Sequence, residues 1–336
     1  MFNPSSFDFE AEFGKGRPRP ACAEPRGRAR DLTLIAECRS GQVQDLVAEA
    51  EQRGFPCAIA SSGAEALSKA NELNPSIIVL AQRLPDADGY SVCRSLREDR
   101  AARGSIVVLL AWAEDRESAS ASPPTSESKL AAVESRGSES QSVSAECRGK
   151  RPGLRVQADF VLAAPFDPQE FGRVLAAAQA HRERLRGEGI ASEIGFEMDN
   201  NVPALMELND FLTSLHAETP LSSRQAVQLS QAIVEIGMNA IEWGNRCRRD
   251  AFVRVRHRLY ADRIELAIRD EGEGFDPADL PHAASPGDPL SHMEIRESLG
   301  LRDGGFGLQI ARGMVDEFRI GAFGNEVVLA KRFAAG

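Results

Sequence analysis

The residues best suited to chemistry lie in three short motifs in the second half of this 336-residue chain. In the last motif, "DGGFGLQIARGMVDEF", Gly304, Gly305 and Gly307 precede a helical pattern. Glycines at the start of a helix expose several backbone N–H groups, and they place the positive end of the helix dipole where a phosphate can lie. This motif favours phosphate binding, provided that the other two motifs supply the remaining contacts.

The first motif, "AIVEIGMNAIEWGNR", is typical of an amphipathic helix that begins near Ser222. At about 100° per residue, Glu235, Asn239 and Glu242 share one face of that helix. The opposite face is apolar. We therefore expect a helix that packs with one side and presents a carboxylate and an amide on the other.

The middle motif, "IELAIRDEGEGFDP", reads as a strand followed by a glycine-rich turn. Alternation directs the apolar residues of even number in 264–268 toward the core, and the same parity directs Asp270 there. An aspartate that points inward at a strand end needs a partner, and Gly272 and Gly274 would let the backbone approach a ligand closely. Taken alone, the motif fits an ordinary capped turn equally well.

In this order, and separated by about 30 to 40 residues, the motifs resemble the N box and the two glycine boxes of the GHKL ATPase family. The resemblance covers about residues 192–333 and implies the Bergerat fold, an α/β sandwich of a mixed sheet under a layer of helices. The segments "FEMDNNVPALMELNDFLTSLH", "NAIEWGN" and "GNEVVLAKRF" look most like the anti-sigma-factor serine/threonine kinases within that family.

The resemblance implies ATP and Mg²⁺ as cofactors and gives each motif residue a role. Asn239 would coordinate Mg²⁺ between the ATP phosphates, and Glu235 would act as base or as a carboxylate that positions water. Asp270 would accept the adenine amino hydrogen. The glycines would line the nucleotide, Gly272 and Gly274 at the adenine and Gly304, Gly305 and Gly307 at the phosphates.

Two further features of this half bear on activity. Residues of about 280–302, which include His282 and His292, are polar and punctuated by Pro and Gly, and would form a lid that closes over nucleotide. Trp243 stands where the family commonly has His, a difference that leaves nucleotide binding intact but puts phosphoryl transfer in doubt.

Three functions compete. The first is an ATP-dependent serine/threonine protein kinase that sequesters a sigma factor and phosphorylates a small anti-anti-sigma antagonist. The second is a nucleotide-gated binding or scaffold protein without transfer activity, in which ATP orders the lid and a partner surface. The third is a two-component histidine kinase, which needs a helical hairpin carrying a phosphorylatable His, and His181 in "AQAHRERLRG" is the one candidate.

The first half of the chain must supply a different kind of domain. From residue 31 to about residue 187, short apolar runs alternate with amphipathic helical patterns, which predicts a parallel sheet wrapped by helices. The strand and turn "IIVLAQRLPDADGY" and the later "PFDPQEF" resemble the receiver domain of response regulators, over about residues 31–185. This resemblance implies a flavodoxin-like, doubly wound fold.

The positions that carry phosphoryl chemistry in a receiver are mostly apolar in this chain. A doubly charged phosphoryl group beside carboxylates needs a cation and a donor to neutralise it. The matching positions read Ala36 and Glu37 after strand one, Ala81 after strand three, Leu110 or Ala111 on strand four, and Ala164 before Pro165. We therefore expect a pseudo-receiver that cannot be phosphorylated, with Asp86 and Asp88 serving as turn residues rather than relocated acceptors.

Composition completes the sequence-based expectations. Residues 1–30 and about 114–153 lack hydrophobic periodicity, and we expect a disordered tail and a disordered, Ser-rich insertion there. The net charge of −10 argues against nucleic acid or an anionic membrane as a partner. Six scattered cysteines and the lack of a long apolar run favour a cytoplasmic location. The second domain would span residues 190–336, and the receiver would dock a partner or form a homodimer.

Overall fold

The computed structural model describes residues 32–37, 40–111, 153–163, 165, 167–274 and 306–333. The tail expected at residues 1–30, all but the last residue of the insertion expected at 114–153, and the lid expected at 280–302 lie outside those ranges. Within them, no helix combines the length and the apolar character needed to cross a membrane.

The first part of the chain folds into a parallel sheet flanked by helices. Its elements in chain order are β1 (Thr33–Ala36), α1 (Ser40–Gln52), β2 (Cys57–Ala60), α2 (Gly63–Leu73), β3 (Ile77–Ala81), α3 (Gly89–Glu98), β4 (Ile106–Ala111), β5 (Leu154–Val156), β6 (Phe160–Ala163) and α4 (Pro168–Gly187). The sheet order is β2-β1-β3-β4-β6, with every pairing parallel. This is the flavodoxin-like, doubly wound order, so the predicted fold of this part is confirmed.

Local sequence explains these boundaries. Strand β3 is buried along its whole length, as a central strand with helices on both faces must be. Ser62 caps α2 and Asp167 caps α4, each through a side-chain oxygen that accepts a backbone N–H of the first turn. Such caps satisfy N–H groups that have no partner inside the helix, and they fix where each helix starts.

The second part of the chain builds a six-stranded sheet. Its elements are β7 (Ile190–Asp199), α5 (Val202–His216), α6 (Ser223–Asn239), β8 (Phe252–Tyr260), β9 (Arg263–Arg269), α7 (Gly307–Met314), β10 (Glu317–Ile320) and β11 (Glu326–Arg332). The order is β10-β11-β9-β8-β7-β5. All pairings of this second sheet among the described residues are antiparallel, whereas the family resemblance implies a mixed sheet. Helices α5 and α6 bury apolar residues in the same core as this sheet, as an α/β sandwich requires.

Strand β5 lies between two strands of the first sheet in the chain but belongs to the second sheet, and the sequence patterns did not reveal it. We call the elements β1 to α4 the first unit and the elements from β7 onward the second unit. It follows the insertion after β4 and pairs with the β7 edge of the second sheet, with Leu154 opposite Met198 and Val156 opposite Phe196. The chain then returns to the first sheet as β6. Residues 153–156 of the first unit thus complete the sheet of the second, and the two hydrophobic cores are continuous.

Candidate functional site

Helix α6 presents the first motif. Ser222 and Gln225 form a reciprocal capping box at its start, so the predicted beginning of the helix is correct. Asn239 is the last α-helical residue, and Ala240–Gly244 continue as one π-helical turn. The helical periodicity that placed Glu242 on the face of Glu235 and Asn239 therefore does not continue past Asn239, because a π turn rotates less per residue.

The start of α7 lies against the polar face of α6. A Cβ at Gly307 would lie 2.9 Å from Glu235 Oε2 and 3.4 Å from Asn239 Nδ2. No side chain caps α7 within the described residues. A carboxylate, an amide and the N-terminal turn of a helix thus meet at one point, and a residue larger than Gly at 307 would fill it. Gly304 and Gly305, which were expected to extend this cradle, lie outside the described residues.

Asp270 lies directly after β9, on the inward side that strand alternation predicted. Its carboxylate is half-buried, and Oδ1 accepts the Gly272 N–H at 2.8 Å. Its own N–H donates to the Asn325 carbonyl at 3.1 Å. Burial raises the pKa of the Asp270 carboxyl, although the Gly272 N–H acts in the opposite direction. One oxygen of a constrained carboxylate, Oδ2, is therefore left to accept a further hydrogen bond.

The backbones of two glycines pack closely around that carboxylate. A Cβ at Gly244 would overlap the Asp270 carboxyl group, and a Cβ at Gly272 would overlap the Gly244 carbonyl. The π turn that ends the first motif is therefore packed against the Asp270 turn, with no room for a side chain between them. Gly274, at φ +77°, makes a similar close approach to the Phe323 carbonyl in the β10–β11 turn.

Asn245 ties these segments together, and sequence reasoning missed it. This side chain is 0% exposed. Its Oδ1 accepts the Glu271 N–H at 2.8 Å, and its Nδ2 donates to the Phe252 carbonyl at 2.9 Å and to Asn200 Oδ1 at 3.1 Å. The amide thus connects the end of the π turn to the residue after Asp270. The available signal was an Asn near the end of the first motif, but its burial and its partners, which are 26 and 45 residues away in sequence, could not be read from it.

The receiver-like unit shows the opposite arrangement at its strand ends. Ala36 and Ala81 are fully buried, and Glu37 is buried beside them. Ala81 pairs in register with Leu110, so an apolar side chain flanks the position of the expected nucleophile. Ala164 lies outside the described residues. These strand ends offer no hydroxyl or lysine at the described positions that were compared, namely 36, 37, 81, 110 and 111.

The two aspartates of the "LPDADGY" turn are both engaged in capping. Asp86 accepts the backbone N–H groups of Gly63 at 2.6 Å and Ala64 at 2.9 Å, and these bonds at the start of α2 lower the pKa of its carboxyl. Asp88 caps α3 by accepting the Ser91 N–H at 2.9 Å. Asp88 thus serves its own turn as expected, whereas Asp86 connects the turn to the start of α2, which is 22 and 23 residues earlier in the sequence.

His181 lies on α4, with its ring packed edge-on against Phe160 and Nε2 3.7 Å from Glu193. Burial lowers the pKa of its imidazole. Helix α4 packs on the first sheet and leads directly into β7. The chain between His181 and the second sheet therefore forms no second helix of the hairpin that a histidine kinase requires.

Comparison with known proteins agrees with this geometry. The family model described as a histidine kinase-like ATPase domain matches residues 199–331. The chain is 24% identical over 168 residues to the serine-protein kinase RsbW of Bacillus licheniformis, a match that covers 50% of this chain and 81% of the relative.

Two further proteins are similar to part of the chain. The chain is 34% identical over 84 residues to the alkaline phosphatase synthesis transcriptional regulatory protein PhoP of Bacillus subtilis, which covers 25% of this chain and 34% of that protein. A response regulator structure from Chloroflexus aurantiacus overlaps at 21% identity with a TM-score of 0.31, covering 45% of this chain and 98% of the other. Residues 199–331 form a histidine kinase-like ATPase domain of the GHKL class, and the parallel sheet order β2-β1-β3-β4-β6 gives the chain a receiver-like domain before it.

Proposed function

We propose that the protein is an ATP-dependent serine/threonine protein kinase of the anti-sigma-factor type, in which the pseudo-receiver serves as a docking or regulatory module. The observation that carries this proposal is the convergence of Glu235 and Asn239 on the first residue of α7, Gly307. Acid, amide and helix N-terminus together suit a phosphate and the hydroxyl that attacks it.

The described residues fit a purine nucleotide with its cation. Mg²⁺ takes few protein ligands and completes its shell with phosphates and water, so a single amide beside the phosphates would suffice to hold it. Asn239 would provide the amide oxygen, and the glycine cradle of Asp270 would hold the carboxylate that reads the adenine amino group. ATP would supply the phosphoryl group, and Mg²⁺ would neutralise its charge.

In this proposal Glu235 takes the proton of the substrate hydroxyl. It stands one helical turn before Asn239 on α6, so the base and the cation ligand share one rigid element. Phosphoryl transfer depends chiefly on positioning and charge neutralisation, and this small set of groups suffices for it.

The substrate would be a serine of a small anti-anti-sigma antagonist, and a sigma factor would be the second partner. The similarity to RsbW, a serine-protein kinase, supports serine as the acceptor. The resemblance of the motifs to anti-sigma-factor kinases supports both partners. With such partners, the protein would act in the cytoplasm, and we propose that it does so as a homodimer.

The test incubates the protein with Mg²⁺, labelled ATP and candidate antagonist proteins. We expect label on an antagonist serine, a loss of at least about 100-fold in transfer rate for Glu235→Ala, and unchanged ATP affinity in that variant. Gln231→Ala, at an exposed position of the same helix, is the matched control and should transfer at the wild-type rate. Tight ATP binding with no label on any antagonist, whether or not Glu235 is present, would refute the kinase.

One observation favours the second candidate, a nucleotide-gated binding module. Trp243, in the π turn, replaces the His common in the family and is 41% exposed. Trp243→His distinguishes the two candidates. Transfer that appears only in this variant would show that the natural protein binds nucleotide without transferring phosphate.

A further inference from the structure

A small cavity lies where the two units meet, away from the candidate nucleotide site. It measures about 40 Å³ and is lined by the end of α3, the connection before β4, the end of α4 and the first residues of β7. Its lining includes Arg97, Arg103, Arg182, Arg186, Ser192 and Glu193. We call it the junction cavity. One water molecule needs a cavity of about 10–15 Å³, so the junction cavity has room for a group of a few heavy atoms.

The lining is strongly cationic. Four arginines face one glutamate, and that glutamate, Glu193, already pairs with Arg258 at 2.5 Å. Arg97 is balanced by Asp159 at 2.6 Å, and Arg103 by Glu218 at 3.1 Å. Among the described residues, no ion pair joins Arg186 to a carboxylate. The exposed Arg186 guanidinium therefore places a positive charge at the rim of the cavity.

Ser192 adds a neutral donor. Its side chain is only 5% exposed, and its Oγ has no hydrogen-bond partner among the described residues. The register of β7 against β8 shifts between Ile190 and Ser192, so a bulge displaces this part of the strand. Bulges re-aim side chains, and a buried hydroxyl without a partner is uncommon in folded proteins. A ligand atom in the junction cavity would satisfy it.

We propose that the junction cavity binds a phosphate group, either inorganic phosphate or the terminal group of a small phosphomonoester. Arg186 supplies the cationic donor, and Ser192 Oγ donates a neutral hydrogen bond. Guanidinium groups match phosphate oxygens in geometry as well as in charge. Because α4 belongs to the first unit and β7 to the second, a bound phosphate stabilises the junction between the receiver-like unit and the ATPase domain.

The test is thermal unfolding of the full chain at constant ionic strength, titrated with inorganic phosphate and, separately, with phenyl phosphate. We expect a saturable rise in Tm for the wild type. Arg186→Ala and Ser192→Ala should weaken the apparent Kd at least tenfold. Arg173→Ala removes an exposed arginine of the same helix that does not line the cavity, and it should behave like the wild type.

The two probes separate the possible sources of phosphate. A response to inorganic phosphate alone assigns the free ion, and a response to both assigns a phosphomonoester terminus. An equal rise in all variants would be general salt stabilisation or binding at the nucleotide site, and no rise would mean that the cavity holds water only. Either result overturns the proposal.

Discussion

The backbone of Gly244 lies against the carboxylate of Asp270, so closely that a Cβ on the glycine would overlap it. Gly244 ends the π turn that follows Asn239, and Asp270 directly follows β9. The proposed cation ligand and the proposed adenine acceptor are thus linked through one turn of backbone. This packing would therefore fix the distance between the Asn239 amide at the phosphates and the Asp270 carboxylate at the adenine.

Gly244→Ala should weaken ATP binding at least tenfold, equivalent to about 1.4 kcal/mol. The added methyl must displace the Asp270 carboxylate, which the Gly272 N–H holds in place. Calorimetric titration with MgATP measures the effect. Gly313→Ala is the matched control, because a Cβ there meets nothing within 4 Å. If both variants bind ATP equally well, the close packing at Gly244 does not position Asp270.

Asp270→Asn should weaken ATP binding without destabilising the free protein. Because the folded-state pKa of Asp270 is raised, this carboxyl stabilises the free protein only when protonated, below its unfolded pKa of about 3.9. That contribution is lost as the pH rises through the raised folded-state pKa. At pH 7 the uncharged amide should therefore leave Tm equal to or above that of the wild type.

ATP affinity should also depend on pH through Asp270. Protonation removes the acceptor, so wild-type affinity should begin to fall on acidification at a higher pH than an ordinary aspartate would give. Titration calorimetry across that range measures it. The dependence should be absent in Asp270→Asn, and an identical pH profile in both proteins would assign it to another group.

Asn245→Ala should be strongly destabilising. It deprives the Glu271 N–H of its acceptor and removes two donated bonds in a fully buried site. Each buried group left unsatisfied costs about 1–3 kcal/mol, so we expect a loss of about 2–5 kcal/mol in the free energy of unfolding. Urea unfolding measures it. Asn71→Ala, on the exposed face of α2, should change stability by less than about 0.5 kcal/mol.

These residues also show where sequence reasoning ends. The start of α6 was predictable, because Ser222 and Gln225 are three residues apart and their reciprocal bonds are local. The inward direction of Asp270 followed from strand alternation with period two. The contact between Gly244 and Asp270 was not predictable, because a π turn leaves no periodic signal and the partners meet only when β9 is in place.

The parallel sheet was predictable for a similar reason. Strand β3 is an apolar run bounded by turn residues, and its alternation with amphipathic helices predicts that it pairs with parallel strands inside a sheet covered by helices. Strand β5 has three residues and follows a polar segment, so no window of sequence distinguishes it from a loop. Its strand character comes from the open edge of β7, which belongs to the other unit.

Ala81→Asp should fail to restore phosphorylation in the receiver-like unit. Ala81 is fully buried and pairs with Leu110, so a carboxylate there would be desolvated, and none of the described positions 36, 37, 110 and 111 offers a lysine to compensate it. We expect no label from acetyl phosphate with Mg²⁺ in either wild type or variant, and a lower Tm in the variant. A labelled Ala81→Asp protein would show that the strand ends can still assemble a phosphorylation site.

Leu154→Ala should destabilise the ATPase domain, although Leu154 precedes the last strand of the receiver-like sheet in the chain. Leu154 is 1% exposed, lies opposite Met198 and packs in the shared core, so its truncation should cost about 2–5 kcal/mol. Hydrogen exchange should accelerate at β7 amides in particular, because β5 covers that edge. Val161→Ala, at an exposed position of β6, should leave β7 protected. If β7 exchanges at the wild-type rate in Leu154→Ala, the second sheet is stable without β5, and a change in the receiver-like unit cannot reach the ATPase domain by this route.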